Sequence, residues 1–157
     1  MDEKTNVMRL LEQKRVAYKS HKYTNTDAVS GPEVADVLGE NPEKVFKTLV
    51  TVGKSGGHFV FLIPVSHELD LKKAAKIVKE KSIEMIKAKD LLPLTGYVHG
   101  GCSPIGMKKA FPTTIDNSAE ALDTLYFSAG KIGHQVELAL SDLRNILRFQ
   151  LAELTID

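Results

Sequence analysis

Two runs rich in β-branched and aromatic residues, 45–52 and 58–65, constrain this chain more than any other feature. Each has the length of a strand, and Gly53, Lys54, Ser55, Gly56 and Gly57 between them supply a turn. Together they predict an antiparallel hairpin. Alternation along the first run puts Lys47 on one face with Val45 and Leu49, and Thr48 on the other with Phe46 and Val50. Both faces are largely apolar, as in a central strand. Burying a bare charge is costly, so the Lys47 ammonium needs a partner or a cavity. It either holds a ligand oxygen (a phosphate, a ribose oxygen or a carbonyl) or snorkels out from the strand's end.

Around the hairpin the patterning is mixed. Thr5 is placed to cap a short first helix with Val7, Leu10 and Leu11 as its inner stripe, and 16–23 alternates loosely as a strand. Ser30, Gly31, Pro32 and Glu33 form a capping box for a second helix that buries Val34, Ala35, Val37 and Leu38 and stops at Gly39. A further helix starts near Asp70, with Leu71, Ala74, Ala75 and Val78 facing inward. Short strands are predicted at 83–86, 96–98, 113–116, 125–128 and 136–140. A last helix from a Ser141 cap would bury Leu143, Ile146, Leu147 and Leu151. Many strands and a few helices without strict alternation predict an α+β fold with a mixed, largely antiparallel sheet. The 157 residues suit one domain over 1–157, and no linker-like stretch divides them.

Composition removes several classes of function. Lys plus Arg number 21 and Asp plus Glu 20, a net charge of +1, so any nucleic-acid contact must rest on local clusters. Cys102 is the only cysteine, which rules out an internal disulfide and a CxxC site and makes a reducing cytoplasm the expected compartment. The first residues lack a secretory signal's basic start and apolar stretch. The longest apolar run, 59–65, is broken by Pro64 and falls far short of the ~20 residues of a membrane span. The five histidines show no HxH or HExxH spacing and there is no GxSxG elbow, so neither a metal site nor a serine-hydrolase centre is expected.

Three further stretches carry possible chemistry. Gly100, Gly101, Cys102, Ser103, Pro104, Ile105 and Gly106, followed by Lys108 and Lys109, form a tight loop with no acid from His99 to Pro112. Such a loop either brings backbone N–H groups close to an oxyanion or is a plain structural turn. Ser128, Ala129, Gly130, Lys131, Ile132 and Gly133 repeat its ingredients: small residues, a hydroxyl and a lysine. Lys72, Lys76 and Lys79 (with Lys73 beside them) make a basic stripe on the outer face of the helix from Asp70, either a phosphate contact or a solvated face. Cys102 is either a nucleophile or a small buried thiol, His99 either touches a ligand or is an exposed loop histidine, and Tyr23 either stacks on or donates to a ligand or simply packs.

In this order and at these spacings the chain resembles the YbaK/prolyl-tRNA-synthetase-associated family of trans-editing deacylases, from the first helix almost to the C-terminus. The resemblance is carried by His21-Lys22-Tyr23, Val45-Phe46-Lys47-Thr48-Leu49, Leu69-Asp70-Leu71-Lys72-Lys73, and Thr95-Gly96-Tyr97 leading into Gly100-Gly101, Ser103-Pro104, Gly106 and Lys108-Lys109. Pro112-Thr113, Ile115-Asp116, Ser128, Gly130-Lys131 and Gly133 complete it. The resemblance implies a barrel-like sheet flanked by helices and hydrolysis of the ester joining a wrong amino acid to tRNA(Pro), cysteine in the YbaK branch and alanine or another small residue in related ones. It makes Lys47 the catalytic lysine and Tyr23, Thr48, Gly100, Gly101, Ser103 and Ser128 substrate-binding positions, and for such a protein the local basic clusters of Lys72, Lys76, Lys79, Lys108 and Lys131 are the expected weaker tRNA contacts. No protein nucleophile, cofactor or metal is implied: the cysteine thiol attacks its own ester and leaves as a thiolactone. The partners implied are the tRNA(Pro) acceptor end and prolyl-tRNA synthetase. The chain departs from the enterobacterial type at Gln135, where that type has an aspartate. Two other readings stay open: a relative that binds a ligand without catalysis, and a general hydrolase of small esters.

Overall fold

The protein is described here from a computed structural model, which describes residues 4–23 and 31–157. The predicted hairpin is its centre. Strand β2 (Phe46–Gly53) pairs antiparallel with β3 (His58–Pro64), Lys47 opposite Ile63 and Thr48 opposite Leu62. β4 (Ile83–Met85) joins the free edge of β2 only at Thr51–Gly53. On the other side β3 pairs in parallel with β5 (Thr113–Asp116), which pairs in parallel with β8 (Gln150–Ala152). The five strands run in the order β4-β2-β3-β5-β8, and a second antiparallel sheet runs β1-β7-β6, from Lys19–Lys22, His134–Leu138 and Leu125–Ser128. A parallel bridge between Val45 and Tyr126 ties the two sheets at the start of β2.

Helices form where local caps and apolar stripes agree. α1 (Asn6–Gln13) begins at Thr5, whose Oγ1 accepts the Met8 N–H at 3.2 Å, and it buries Val7, Met8 and Leu11. α3 (Leu71–Ile77) begins at Asp70, whose carboxylate accepts the Lys72 and Lys73 N–H groups at 2.9 and 3.1 Å. α2 (Gly31–Leu38) ends at Gly39, which takes a φ of +68°; the Ser30 cap lies outside the described residues. Val7, Leu11, Phe46, Val50, Leu62, Ile115, Phe127 and Leu143 meet in the main core, while Phe61, Ile63, Ala74, Ala75 and Leu154 form a second one under α3.

The structure corrects four sequence expectations. Residues 96–98 are no strand: Ala88–Thr95 form α4, with Pro93 inside it, and Gly96 at φ +87° ends the helix by donating to Leu92 O at 2.9 Å. The last helix is one short turn, α5 (Leu140–Leu143), without a side-chain cap from Ser141, and Leu151 lies in β8. The open edge of β5 takes this segment as a strand, Gln150 donating to Thr114 Oγ1 at 3.1 Å and Leu154 N–H to buried Asp116 at 3.0 Å. Leu71 in the first turn of α3 and Val37 in α2, both expected inside, are exposed. Lys79 lies beyond that helix with φ +62°, so only Lys72 and Lys76 of the basic stripe are helical.

Candidate functional site

The geometry of β2 creates the site. Val65 N–H donates to Val45 O at 2.8 Å, so odd-numbered residues of β2 turn their backbone groups toward β3 and even-numbered ones turn them to the opposite edge. At that edge Lys44 O accepts from Tyr126 N–H (2.9 Å) and Val50 O from Ile86 N–H (3.3 Å). Between these closures the edge at Thr48 faces no paired strand among the described residues. The gap is a cavity of about 460 Å³. Its walls come from β2, from 85–91 of β4 and α4, from α2 at Val34, from the loop at His99, Gly100 and Cys102, and from Tyr23, Ser128 and Gln135 beside it.

Within the cavity lie Lys47, Thr48, Tyr23, Gly100 and Ser128, brought together from four distant parts of the chain. Lys47 and Lys87 supply positive charge, no carboxylate lines the wall, and Lys47 makes no ion pair among the described residues. Thr48 Oγ1 and Gln135 Oε1 are both shut from solvent and meet no hydrogen-bond partner among the described residues. Buried polar groups are almost always satisfied, and leaving one orphaned costs about 1–3 kcal/mol. Both residues line the cavity, so its wall holds two polar side chains that no described residue satisfies. The Ser128 hydroxyl accepts from Gly130 N–H at 3.1 Å, which leaves its proton to donate.

Gly101 and Ser103 support the wall from behind and do not line it. A Cβ on Gly101 would stand 3.0 Å from Ile132 N and 3.3 Å from Lys131 C, so the glycine lets the two small-residue loops touch backbone to backbone. Ser103 is fully buried and accepts from Ile105 N–H at 3.4 Å, the same local turn that Ser128 makes. Lys108 and Lys131 border these loops without lining the cavity, and Lys72, Lys76 and Lys79 are also outside it.

Cys102 does line the cavity, but burial pushes its thiol up to about 12, so it is not a thiolate at neutral pH. Among the described residues no three His, Cys, Asp or Glu side chains gather as a metal site would need. Nor is any helix there long and apolar enough to cross a membrane.

β1 is held against β7 near the cavity by His21, whose Nε2 lies 2.9 Å from Glu137 Oε1, and Thr124 donates to the same carboxylate at 2.6 Å. Burial raises the Glu137 carboxyl, but hydrogen bonds from Thr124, His21 and Tyr126 outweigh it and hold the group below its ordinary value. Gln135, marked in the sequence by its departure from the enterobacterial aspartate, lines the cavity, as do Val34, Met85, Ile86, Lys87 and Leu91, which the sequence does not single out as site residues. For Gln135 a signal existed, since a long amide at a buried strand position needs a polar neighbour. The others are ordinary apolar or exposed positions whose role depends on the three-dimensional gap.

Comparison with known proteins places this geometry. A family model described as the aminoacyl-tRNA editing domain matches residues 26–146. A protein of Enterococcus faecalis, described as a candidate Cys-tRNA(Pro)/Cys-tRNA(Cys) deacylase, EbsC, is 47% identical over 154 residues, 98% of this chain and 94% of its own. A proline--tRNA ligase of Fervidobacterium nodosum is 33% identical over 76 residues, 48% of this chain and 13% of the ligase. The solved structure of a candidate trans-editing enzyme for prolyl tRNA synthetase superposes with a TM-score of 0.84 at 22% identity, over 99% of this chain and 100% of that one. That last likeness shows the fold.

Proposed function

The chain belongs to the aminoacyl-tRNA editing domain family, and from that premise we propose that its cavity deacylates mischarged tRNA(Pro), cysteinyl-tRNA(Pro) foremost. The observation that supports this reading is Lys47, which makes no ion pair among the described residues, beside Thr48 and Gln135, whose Oγ1 and Oε1 find no partner among them, in a cavity that no described carboxylate lines. Such a lining suits an ester whose carbonyl oxygen gains negative charge and whose ribose and amine offer hydrogen bonds.

In the proposed reaction the substrate supplies its own nucleophile. The cysteine sulfur forms a bond to the ester carbonyl carbon, the bond from that carbon to the ribose oxygen breaks, and the thiol proton ends on the ribose hydroxyl. The amino acid leaves as a thiolactone, which water then opens. Lys47 meets the charge on the carbonyl oxygen, while Tyr23, Thr48, Ser128 and Gly100 hold the aminoacyl-adenosine so that sulfur and carbonyl meet. The protonated Cys102 takes no part as a nucleophile.

Gly101 and Ser103 act by shaping the wall. Lys108 and Lys131 beside the loops are proposed to meet acceptor-end phosphates, with Lys72, Lys76 and Lys79 as a peripheral patch. Prolyl-tRNA synthetase is the proposed partner, supported by the stretch this chain shares with a proline--tRNA ligase. The need for a second site is physical: a proline pocket discriminates a methylene or so by only about 1–3 kcal/mol.

The test is hydrolysis of preformed Cys-tRNA(Pro), Ala-tRNA(Pro) and Pro-tRNA(Pro) by wild type and Lys47→Ala. The expected result is rapid loss of the cysteinyl ester, sparing of the prolyl ester, and a fall of about 10²–10³ in the variant. Selective loss of the alanyl ester would move the enzyme to another branch of editing. A Lys47→Ala variant with wild-type turnover would remove that lysine from the mechanism.

A further inference from the structure

The loop that walls the cavity has a second face. Gly100 and Cys102 look onto the substrate cavity, while Pro104, Ile105 and Gly106 line a separate groove of about 650 Å³ that runs between residues 104–113 and 146–150. Its walls include the half-buried rings of Phe111 and Phe149, and exposed Lys109 and Arg148 stand among them. Arg144 adds a third cation, its guanidinium carbon 4.5 Å from the centre of the Phe149 ring. Among the described residues no carboxylate lines the groove, and none of these three cations makes an ion pair.

This charge is local. The whole chain carries only +1, so Lys109, Arg148 and Arg144 beside two aromatic rings are a local concentration of positive charge, and unlike the lysine stripe from Asp70 this one includes aromatic rings. Exposed positive charge interleaved with aromatic faces is the chemistry that holds unpaired nucleic acid: cations follow the phosphates and bases stack on the rings. An apolar protein segment would find the rings but would leave the cations unanswered. We infer that the groove binds an unpaired RNA strand, the nucleotides immediately upstream of the terminal adenosine, an assignment whose register rests on the deacylase reading. The glycine loop is then a shared wall, with the reacting end on one side and the strand leading to it on the other.

The experiment uses the full chain and two kinds of probe. Fluorescence anisotropy with a labelled six-nucleotide single-stranded RNA carrying no amino acid reads the groove alone. Hydrolysis of 3′-O-cysteinyladenosine and of Cys-tRNA(Pro) reads the cavity without and with the strand. The variants are K109E combined with R148E, both exposed side chains, and F149L, which keeps apolar bulk and removes the ring. A thermal melt of each checks the fold.

The charge reversal is expected to weaken oligonucleotide binding at least about tenfold and to lower the slope of log affinity against log salt by roughly 1.4, at 0.7 per phosphate contact. F149L is expected to lose about fivefold or more, the lower end of one stacked base. For Cys-tRNA(Pro) the KM rises in step while kcat holds, and the adenosine ester is hydrolysed as by wild type. Oligonucleotide affinity and salt slope unchanged in the charge reversal would overturn the inference, as would no measurable binding by wild type. So would a defect seen only when prolyl-tRNA synthetase is added, since the groove would then be a protein contact. Failure of wild type to cleave either ester would sink the deacylase reading, and the oligonucleotide arm would still decide the groove.

Discussion

The two halves of strand β2 obey the same alternation and end in opposite conditions. In the second half β4 covers the edge at Thr51–Gly53, and the buried Thr51 hydroxyl donates to Phe59 O at 2.8 Å. The following turn is clasped by Glu80, which takes the Ser55 N–H at 3.0 Å and the Ser55 hydroxyl at 2.7 Å. In the first half, among the described residues, the Thr48 hydroxyl finds no partner and no carboxylate lines the cavity in which Lys47 stands. One half is satisfied by the protein, and the other is the half we propose meets the substrate. The lesson is that a site can be made by withholding one strand pairing from an otherwise complete sheet, at a local cost that a substrate offsets.

The strongest way to break this contrast is to disturb what keeps the open half shaped. Gly101→Val puts branched carbon where Ile132 N lies 3.0 Å from the Cβ position. Neither backbone can yield cheaply, and overpacking of this kind costs about 1–3 kcal/mol. The expected outcome is a melting temperature lower by roughly 3–10 °C and a fall in deacylation of at least about tenfold, as the wall moves against Lys47 and Thr48. Gly101→Ala should lie between wild type and valine. A valine variant that melts and turns over like wild type would show that the contact between the loops does not shape the cavity.

A paired substitution sharpens the comparison within the strand itself. Thr48→Val and Thr51→Val remove the same hydroxyl three residues apart. Thr51→Val leaves Phe59 O without its side-chain donor and should destabilise by about 1 kcal/mol with little effect on kcat/KM. Thr48→Val removes an orphan, so stability should hold or rise by up to about 1 kcal/mol, while kcat/KM falls roughly three- to tenfold, the worth of one neutral hydrogen bond. Melting curves and steady-state kinetics on both variants decide it. Equal losses of stability in the two would mean that Thr48 is an ordinary structural threonine.

These halves also show what a sequence can disclose. The hairpin was legible because both faces of 45–52 are apolar and a glycine turn follows, and Lys47 stood out for the same reason. The cap at Thr5 and the start of a helix near Asp70 were legible because a helix start is marked by local bonds and spacing. The 140–152 segment was not, since Leu143, Ile146, Leu147 and Leu151 fit a helical stripe equally well. A distant strand edge, β5, decided otherwise. Pro93 hid α4, whose real stop is the left-handed Gly96. The cavity wall at Val34, Met85 and Leu91 carried no local mark, because it exists only where β4 stops pairing.

The smallest expected effect lies in the sealed half and concerns pH. Hydrogen bonds from the Ser55 backbone and side chain hold the Glu80 carboxyl below its ordinary value. A carboxyl depressed in the folded state stabilises that state above the unfolded value, and the contribution disappears as pH falls through the folded one. Wild type should therefore melt slightly above Glu80→Gln at pH 7, by no more than about 2 °C for so exposed a contact. The gap should close on acidification below the ordinary carboxyl range. Deacylation at pH 7 should not change, because the Glu80 clasp lies on the covered half of β2 and Glu80 does not line the cavity. A pH-independent gap would assign the clasp to the shape of the side chain, and a loss of activity would show that the two halves of β2 are coupled.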